Sequence, residues 1–263
     1  MNTSHNPSRR NMLKAGLAAT AAAAIPITVA DAQQAGPPTK KPGATRISAI
    51  CGEDHRVRNG LTPTMNRLPN ADFWWANDYQ PITPAIIGDT DLLVSYYSGY
   101  MYTEENIAAI KDNVINRGMG WLCIHNTPWF VGDELNEFIG AYAMLHREIQ
   151  PVVIAKLHQE HPITKGIEPF IINLDEQFGV YLAKPDDPDL TVLFWSQGLH
   201  DAHWTIQGWC VQRGNGRIVG LTPGHYEWTW YEQQYQEIMW RTANWALNLP
   251  IPEFYGTLEN FIW

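Results

Sequence analysis

Asp91-Leu-Leu-Val-Ser-Tyr-Tyr97, Thr103-Glu-Glu-Asn-Ile-Ala-Ala-Ile-Lys-Asp-Asn-Val-Ile-Asn-Arg-Gly118 and Met119-Gly-Trp-Leu-Cys-Ile124 follow one another along the chain, and their alternation decides the fold. The outer two are short apolar runs bounded by loop residues, which is how a strand buried on both faces reads. The middle one opens on Thr103, a good N-cap, followed by Glu104 and Glu105 where acids complement the helix dipole. Its apolar residues Ile107, Ile110 and Val114 have helical spacing, and Gly118 supplies the stop. Strand, helix, strand is a βαβ unit, so a parallel sheet is expected. Upstream, Arg46-Ile-Ser-Ala-Ile-Cys51 reads as another buried strand. Between it and Asp91, Leu61 to Ile87 is rich in Pro, Asn and aromatics and shows neither a clean period nor a clear helix. Downstream, Gly214-Asn-Gly-Arg-Ile-Val-Gly-Leu-Thr-Pro-Gly-His225 reads as a turn, a strand and a histidine at its exit. Tyr235, Ile238, Met239, Thr242, Ala246 and Leu249 then mark a closing amphipathic helix.

In a parallel sheet the binding crevice lies beyond the carboxyl ends of the strands, and here those ends are unusually polar. The first strand runs into Gly52-Glu-Asp-His55, the second into Ser98-Gly-Tyr100, and the third into His125-Asn-Thr127. With His225, three strand exits deliver a histidine. Asp175 and Glu176 are adjacent, so on a strand only one reaches the crevice, and the other caps or braces a loop.

The N-terminus reads as an export signal. Ser8-Arg-Arg-Asn-Met-Leu-Lys14 is similar to the twin-arginine motif, with Met12 where Phe is usual. A weakly apolar run from Ala15 to Val29 is too short to span a bilayer, and Ala30-Asp-Ala32 is a cleavage site of A-x-A type. The expected organisation is an export signal at 1–32, a Pro/Gly/Lys linker at 33–45, one domain at 46–250 and a tail at 251–263. The expected location is the periplasm, the expected first partner is the twin-arginine machinery, and no membrane span is expected in the mature chain. Of all 263 residues 17% are charged, below the roughly 25% of an average soluble chain, while Trp numbers 12 and Tyr 11. The formal net charge is −9, and losing Arg9, Arg10, Lys14 and Asp31 with the signal takes it to −11. Nucleic acid is thereby excluded as a natural partner, since no basic surface is available to displace counterions. Cys51, Cys123 and Cys210 are odd in number and lie in apolar segments, so buried free thiols are expected.

Gly118-Met-Gly-Trp-Leu-Cys-Ile-His125, His161-Pro-Ile-Thr-Lys-Gly166, Asp175-Glu176, Gly214-Asn-Gly-Arg-Ile-Val and Gly224-His225, in this order, resemble the ThuA-like (trehalose utilisation) family over roughly Arg46 to Pro250. The resemblance implies an α/β, flavodoxin-like three-layer sandwich with a mostly parallel sheet, similar to class I glutamine amidotransferases. Amidotransferase chemistry is not expected, because Gly-x-Cys-x-Gly is absent and His125 fills the elbow where a thiolate nucleophile would stand. The family's association with oxidised sugars implies a 3-keto-glycoside as substrate, processed by elimination and hydration or by hydrolysis. His125, Asp175, Glu176 and His225 are the catalytic candidates, with Glu176 or His225 as base. His55, Tyr97, Asn126, Trp129 and Trp228 are candidates for substrate binding. One divalent metal ion, with His55, His125 and His225 as candidate ligands, fits the same residues, and no nucleotide cofactor is evident. The alternatives are a non-catalytic carbohydrate-binding module and a metal-dependent hydrolase of another small substrate.

Flat aromatic faces pack on sugar rings, which offers a use for the Trp surplus. Trp129 and Phe130 after His125, with Trp228 and Trp230 after His225, are expected to wall the crevice. Trp121, Trp195, Trp240 and Trp245 follow core patterns, while Trp74 and Trp75 fit either role. The pairs His158/His161 and His200/His203 are expected to be structural or exposed, and His146 is read as lying near a helix end, facing its last carbonyls.

Overall fold

The computed structural model describes residues 38–51, 57–76, 83–96, 102–129 and 132–251, all within the unit Gly36–Trp263. The export signal, His55, Tyr97, Ser98-Gly-Tyr100, Phe130 and most of the tail therefore lie outside the described residues. The first half alternates strand and helix: β1 (Thr45–Cys51), α1 (Val57–Met65), β2 (Ala71–Trp75), α2 (Pro84–Gly88), β3 (Leu92–Tyr96), α3 (Glu104–Asp112) and β4 (Gly120–Ile124). After α4 (Asp133–Ile139) the chain is rich in strands: β5 (Ala141–His146), β6 (Gln150–Ala155), β7 (Phe170–Asp175), β8 (Phe178–Leu182), β9 (Leu190–Gly198), β10 (Trp204–Arg213) and β11 (Gly216–Leu221). α5 (Glu227–Tyr231) and α6 (Gln233–Ala246) follow.

Nine strands form one sheet in the order β2-β1-β3-β4-β11-β10-β9-β6-β7, and β5 pairs with β8 separately. From β2 to β11 every pairing is parallel. From β11 to β7 every pairing is antiparallel. The parallel sheet expected from the βαβ pattern is thus the half that carries β1, β3, β4 and β11, and an antiparallel meander extends it. Alternate residues feed two cores. Ala49, Val94, Leu122 and Val219 pack against α1, α5 and α6, while Ile50, Leu93, Trp121 and Ile218 pack against α2, α3 and α4. The result is the three-layer, flavodoxin-like α/β architecture.

Local signals explain α3 well. The Thr103 side chain accepts from the Asn106 N–H at 3.3 Å, and Gly118 ends the helix at φ +81° after a π-helical turn over Asn113–Arg117. The region between the first two expected strands corrects the sequence reading, for it holds two helices, α1 and the short α2, and an edge strand, β2. In α1 the buried positions are Val57, Gly60, Leu61, Thr64 and Met65, a full helical stripe. Gly60 and Thr64 disguise it, and Pro63 reads as a breaker. β2 is joined to β1 in parallel register, Arg46 opposite Asp72, and the fully buried Arg46 guanidinium donates to the Asp72 carboxylate from Nε at 3.1 Å and Nη2 at 2.8 Å.

His146 is a second correction. It ends strand β5 rather than a helix, because Gly140 at φ +95° stops α4 six residues earlier. Trp230 is a third: it is buried against Tyr96 and Tyr235 in the core and walls no crevice. All three cysteines are buried, and none is joined in a disulfide.

Candidate active site

β4 and β11 are neighbours and end together, with Ile124 opposite Leu221. The residue after β4 is His125, whose N–H donates to the Leu221 carbonyl at 2.8 Å while its backbone turns into the left-handed region at φ +53°. That conformation is uncommon for a residue with a Cβ and ends the strand sharply. The imidazole is buried between Tyr96 and Phe178, stacked at centroid distances of 5.2 and 4.7 Å. Its Nδ1 lies 3.0 Å from the Thr222 carbonyl oxygen. A carbonyl can only accept, so Nδ1 carries the proton and Nε2 faces the site.

The second histidine sits on a clamped loop. Tyr96 donates its hydroxyl to the Gly224 carbonyl at 3.1 Å, and Tyr235 donates to that of Pro223 at 2.7 Å. Asp175 accepts from the Gly224 N–H at 2.9 Å and from the His225 N–H at 2.8 Å. Burial pushes the Asp175 carboxyl up to about 6, against the backbone donors of Gly224, Glu176 and His225 that favour its ionised form. With both oxygens on loop N–H groups, Asp175 is a positioning residue. It sets His225 Nδ1 at 3.1 Å from His125 Nε2.

Glu176 brings the carboxylate. Its Oε2 lies 3.3 Å from His225 Nδ1 and 3.7 Å from His125 Nε2, and its Oε1 lies 2.8 Å from His146 Nδ1. Burial alone would raise its pKa, but the hydrogen bond from His225 and the charges of His225, His125 and His146 outweigh it and hold the carboxyl below the usual range. The adjacent acids thus divide as strand geometry requires, Asp175 into the loop and Glu176 into the cluster. β7 lies at the far edge of the sheet from β4, so this meeting requires the antiparallel half to curl back. Register shifts in β6/β7 and β9/β10 are the irregularities that bend such strands.

His146 is the residue that sequence reasoning missed in this site. The run Ala141-Tyr-Ala-Met-Leu-His146 after Gly140 was the available strand signal. Trp129 stands beside it, 6.3 Å from the His146 ring and 5.6 Å from Phe178. Asn126 is buried next to His125, and its Oδ1 has no hydrogen-bond partner among the described residues. Trp228 is 56% exposed, so it is a surface residue on α5. His161 lies elsewhere: its Nδ1 accepts from the Ile163 N–H at 3.2 Å and its Nε2 is 3.5 Å from Cys210 Sγ. His203 lies 3.2 Å from Arg147. Burial pushes the Cys123 thiol well above its usual value and that of Cys210 up to about 12, so neither is a thiolate at neutral pH.

An open groove of about 500 Å³ lies apart from the histidines, lined by Lys111, Glu134, Lys184, Asp187 and Arg213 among others. Its cations Lys111, Lys184 and Arg213 already pair with Glu134, Glu137 and Asp187, so each is committed within the groove rather than offered to an anion.

The His125–Glu176–His225 cluster lies inside the span matched by the family model for trehalose utilisation, ThuA, residues 55–246. A twin-arginine signal matches residues 6–26, so the protein is exported to the periplasm. No described helix is long and apolar enough to cross a membrane. No curated protein matches the sequence. Among solved structures, a ThuA-like protein of Bacteroides uniformis aligns over 80% of this chain and 95% of its own at 15% identity, with a TM-score of 0.62. One from Parabacteroides merdae aligns over 80% and 93% at 15% identity, also at 0.62. A cold-adapted β-galactosidase of Rahnella shares the fold over 79% of this chain and 32% of its own, at 13% identity and a TM-score of 0.54. With the family model covering most of its length, the chain belongs to the ThuA, or trehalose utilisation, family.

Proposed function

We propose that this periplasmic protein is an enzyme that cleaves 3-keto-glycosides by elimination and rehydration. The observation that carries the reading is the convergence of the Glu176 carboxylate with the His125 and His225 imidazoles beyond the parallel strand ends. A ketone at C3 acidifies the proton on C2. Glu176, held ionised by its histidine neighbours, accepts that proton. The electron pair forms the C1=C2 double bond while the C1–O bond to the aglycone breaks, and the aglycone oxygen takes a proton. Water then adds across C1=C2, hydroxyl to C1 and hydrogen to C2, so the net change is hydrolysis. Negative charge builds on the ketone oxygen O3 as the C2 proton leaves, and positive charge held beside it, as at the histidine pair, lowers the barrier most. Asn126 and Trp129 flank this point and suit a sugar's hydroxyls and apolar face.

Purified mature protein should convert a 3-keto-glycoside to free alcohol and 3-keto sugar, with deuterium entering C2 in heavy water. Glu176→Gln should lower kcat by ~10²–10⁴-fold while far-UV dichroism stays native, and His125→Ala and His225→Ala should also lose turnover. Binding of such sugars by calorimetry with no product after long incubation would establish a carbohydrate-binding module instead. Wild-type rates in Glu176→Gln and His225→Ala would remove the site assignment.

A further inference from the structure

We infer that His125 Nε2, His225 Nδ1 and Glu176 Oε2 form the three-ligand face of a divalent transition-metal site. The three atoms are separated by 3.1, 3.3 and 3.7 Å. A tetrahedral ion with bonds of ~2.0–2.1 Å holds its ligands about 3.3–3.4 Å apart, so one ion reaches all three. A proton between them bonds only two atoms and leaves the third facing a like partner. Two imidazoles and one carboxylate are a donor set for Zn2+ or its first-row neighbours rather than for Ca2+ or Mg2+, which take oxygen.

Independent observations point the same way, because each ligand is oriented by a second residue as ligands of bound ions are. The Thr222 carbonyl holds the Nδ1–H of His125, which aims the Nε2 lone pair at the site. His146 holds Glu176 Oε1 and leaves Oε2 for the ion. Asp175, Tyr96 and Tyr235 fix the backbone of the loop that carries His225. Tyr96 and Phe178 fix the plane of the His125 ring. The use of the ion in turnover rests on the keto-glycoside reading: held by His125, His225 and Glu176, it would supply positive charge at the ketone oxygen O3, and Glu176 would keep its role as acceptor of the C2 proton. Ion binding itself does not depend on that reading.

The test uses untagged mature protein, stripped with chelator and titrated with Zn2+ by calorimetry and with Co2+ by visible d–d absorption, without sugar. One ion per chain is expected. Glu176→Gln, nearly isosteric and easily checked for folding, and His225→Ala should abolish measurable binding. His146→Ala should weaken it by ~10–100-fold, and His161→Gln should leave it unchanged. No binding by the wild type, equal affinity in Glu176→Gln and His225→Ala, or loss of binding in His161→Gln would each overturn the site. Turnover of a 3-keto-glycoside by protein that binds no ion would overturn the metal site alone. Ion binding without turnover would leave it standing and remove the substrate reading.

Discussion

Gly224 carries the strictest demand of any residue in the site. Its φ of +140° is disfavoured by a side chain, a Cβ there would lie 2.8 Å from the Trp230 ring, and both its N–H and its carbonyl are in use. Gly224→Ala should therefore cost about 1–3 kcal/mol in backbone strain, and the loop relieves that strain only by moving His225. Proton transfer and ligation both fail over small displacements, and a shift near 1 Å costs ~10²-fold in rate. Chemical denaturation with steady-state kinetics should show activity falling further than stability. Native kcat in a destabilised protein would mean that the clamp does not position His225. At this scale the sequence reveals His125 and His225, because the first directly follows β4 and the second follows β11 after the three loop residues Thr222-Pro-Gly224. It conceals His146, whose partner Glu176 lies thirty residues on and is brought to it only by the β5/β8 pair, His146 opposite Phe178.

Elements follow the same logic: local signals show where backbone chemistry is strong and fail where packing chooses the residue. α3 is legible from Thr103, Ile110, Val114 and Gly118, and each does in the fold what its chemistry suggests. α1 is not, since its stripe includes a glycine that only the tertiary structure explains. A Cβ on Gly60 would lie 2.2 Å from Trp230 Cβ, an atom tied to the backbone of α5 and unable to swing away. Gly60→Ala sets two effects against each other. Helix propensity improves by about 1 kcal/mol, while overpacking costs about 1–3 kcal/mol or more, and contact this short belongs at the upper end. Urea unfolding should show a net loss of stability, whereas a gain would show that α1 and α5 separate freely. The same change loosens the ground under Gly224, since Trp230 packs against both glycines.

Across the whole molecule, β1, β3, β4 and β11 of the parallel half were legible as short, mostly apolar runs, while the edge strand β2, half-buried and carrying Asp72, was not, and the curl that returns β7 to β4 depends on bulges in strands with ordinary alternation. The same tertiary closure creates the protein's pH response. His161 is packed near Trp245 and Cys210, and burial, then His158 and Arg217, lower its pKa to about 4 from the ordinary 6.5. Between those values the unfolded chain binds a proton at this position that the folded chain does not, so stability falls as pH drops from 6.5 towards 4. Asp175 works in the opposite direction over nearly the same window. Its carboxyl, raised to about 6 by burial, is protonated in the folded chain before the unfolded one, which restores stability as pH falls from 6 towards 3.8. The two cancel in part, and a wild-type curve alone would hide both. The difference between wild type and His161→Gln isolates the histidine, because Asp175 contributes equally to each. Urea unfolding from pH 7.5 to 4 should show wild type losing stability relative to His161→Gln as acid is added, with the change confined to pH 6.5–4. Parallel curves over that interval would mean that His161 titrates as it does in the unfolded chain and that the packing around it does not exclude its charge.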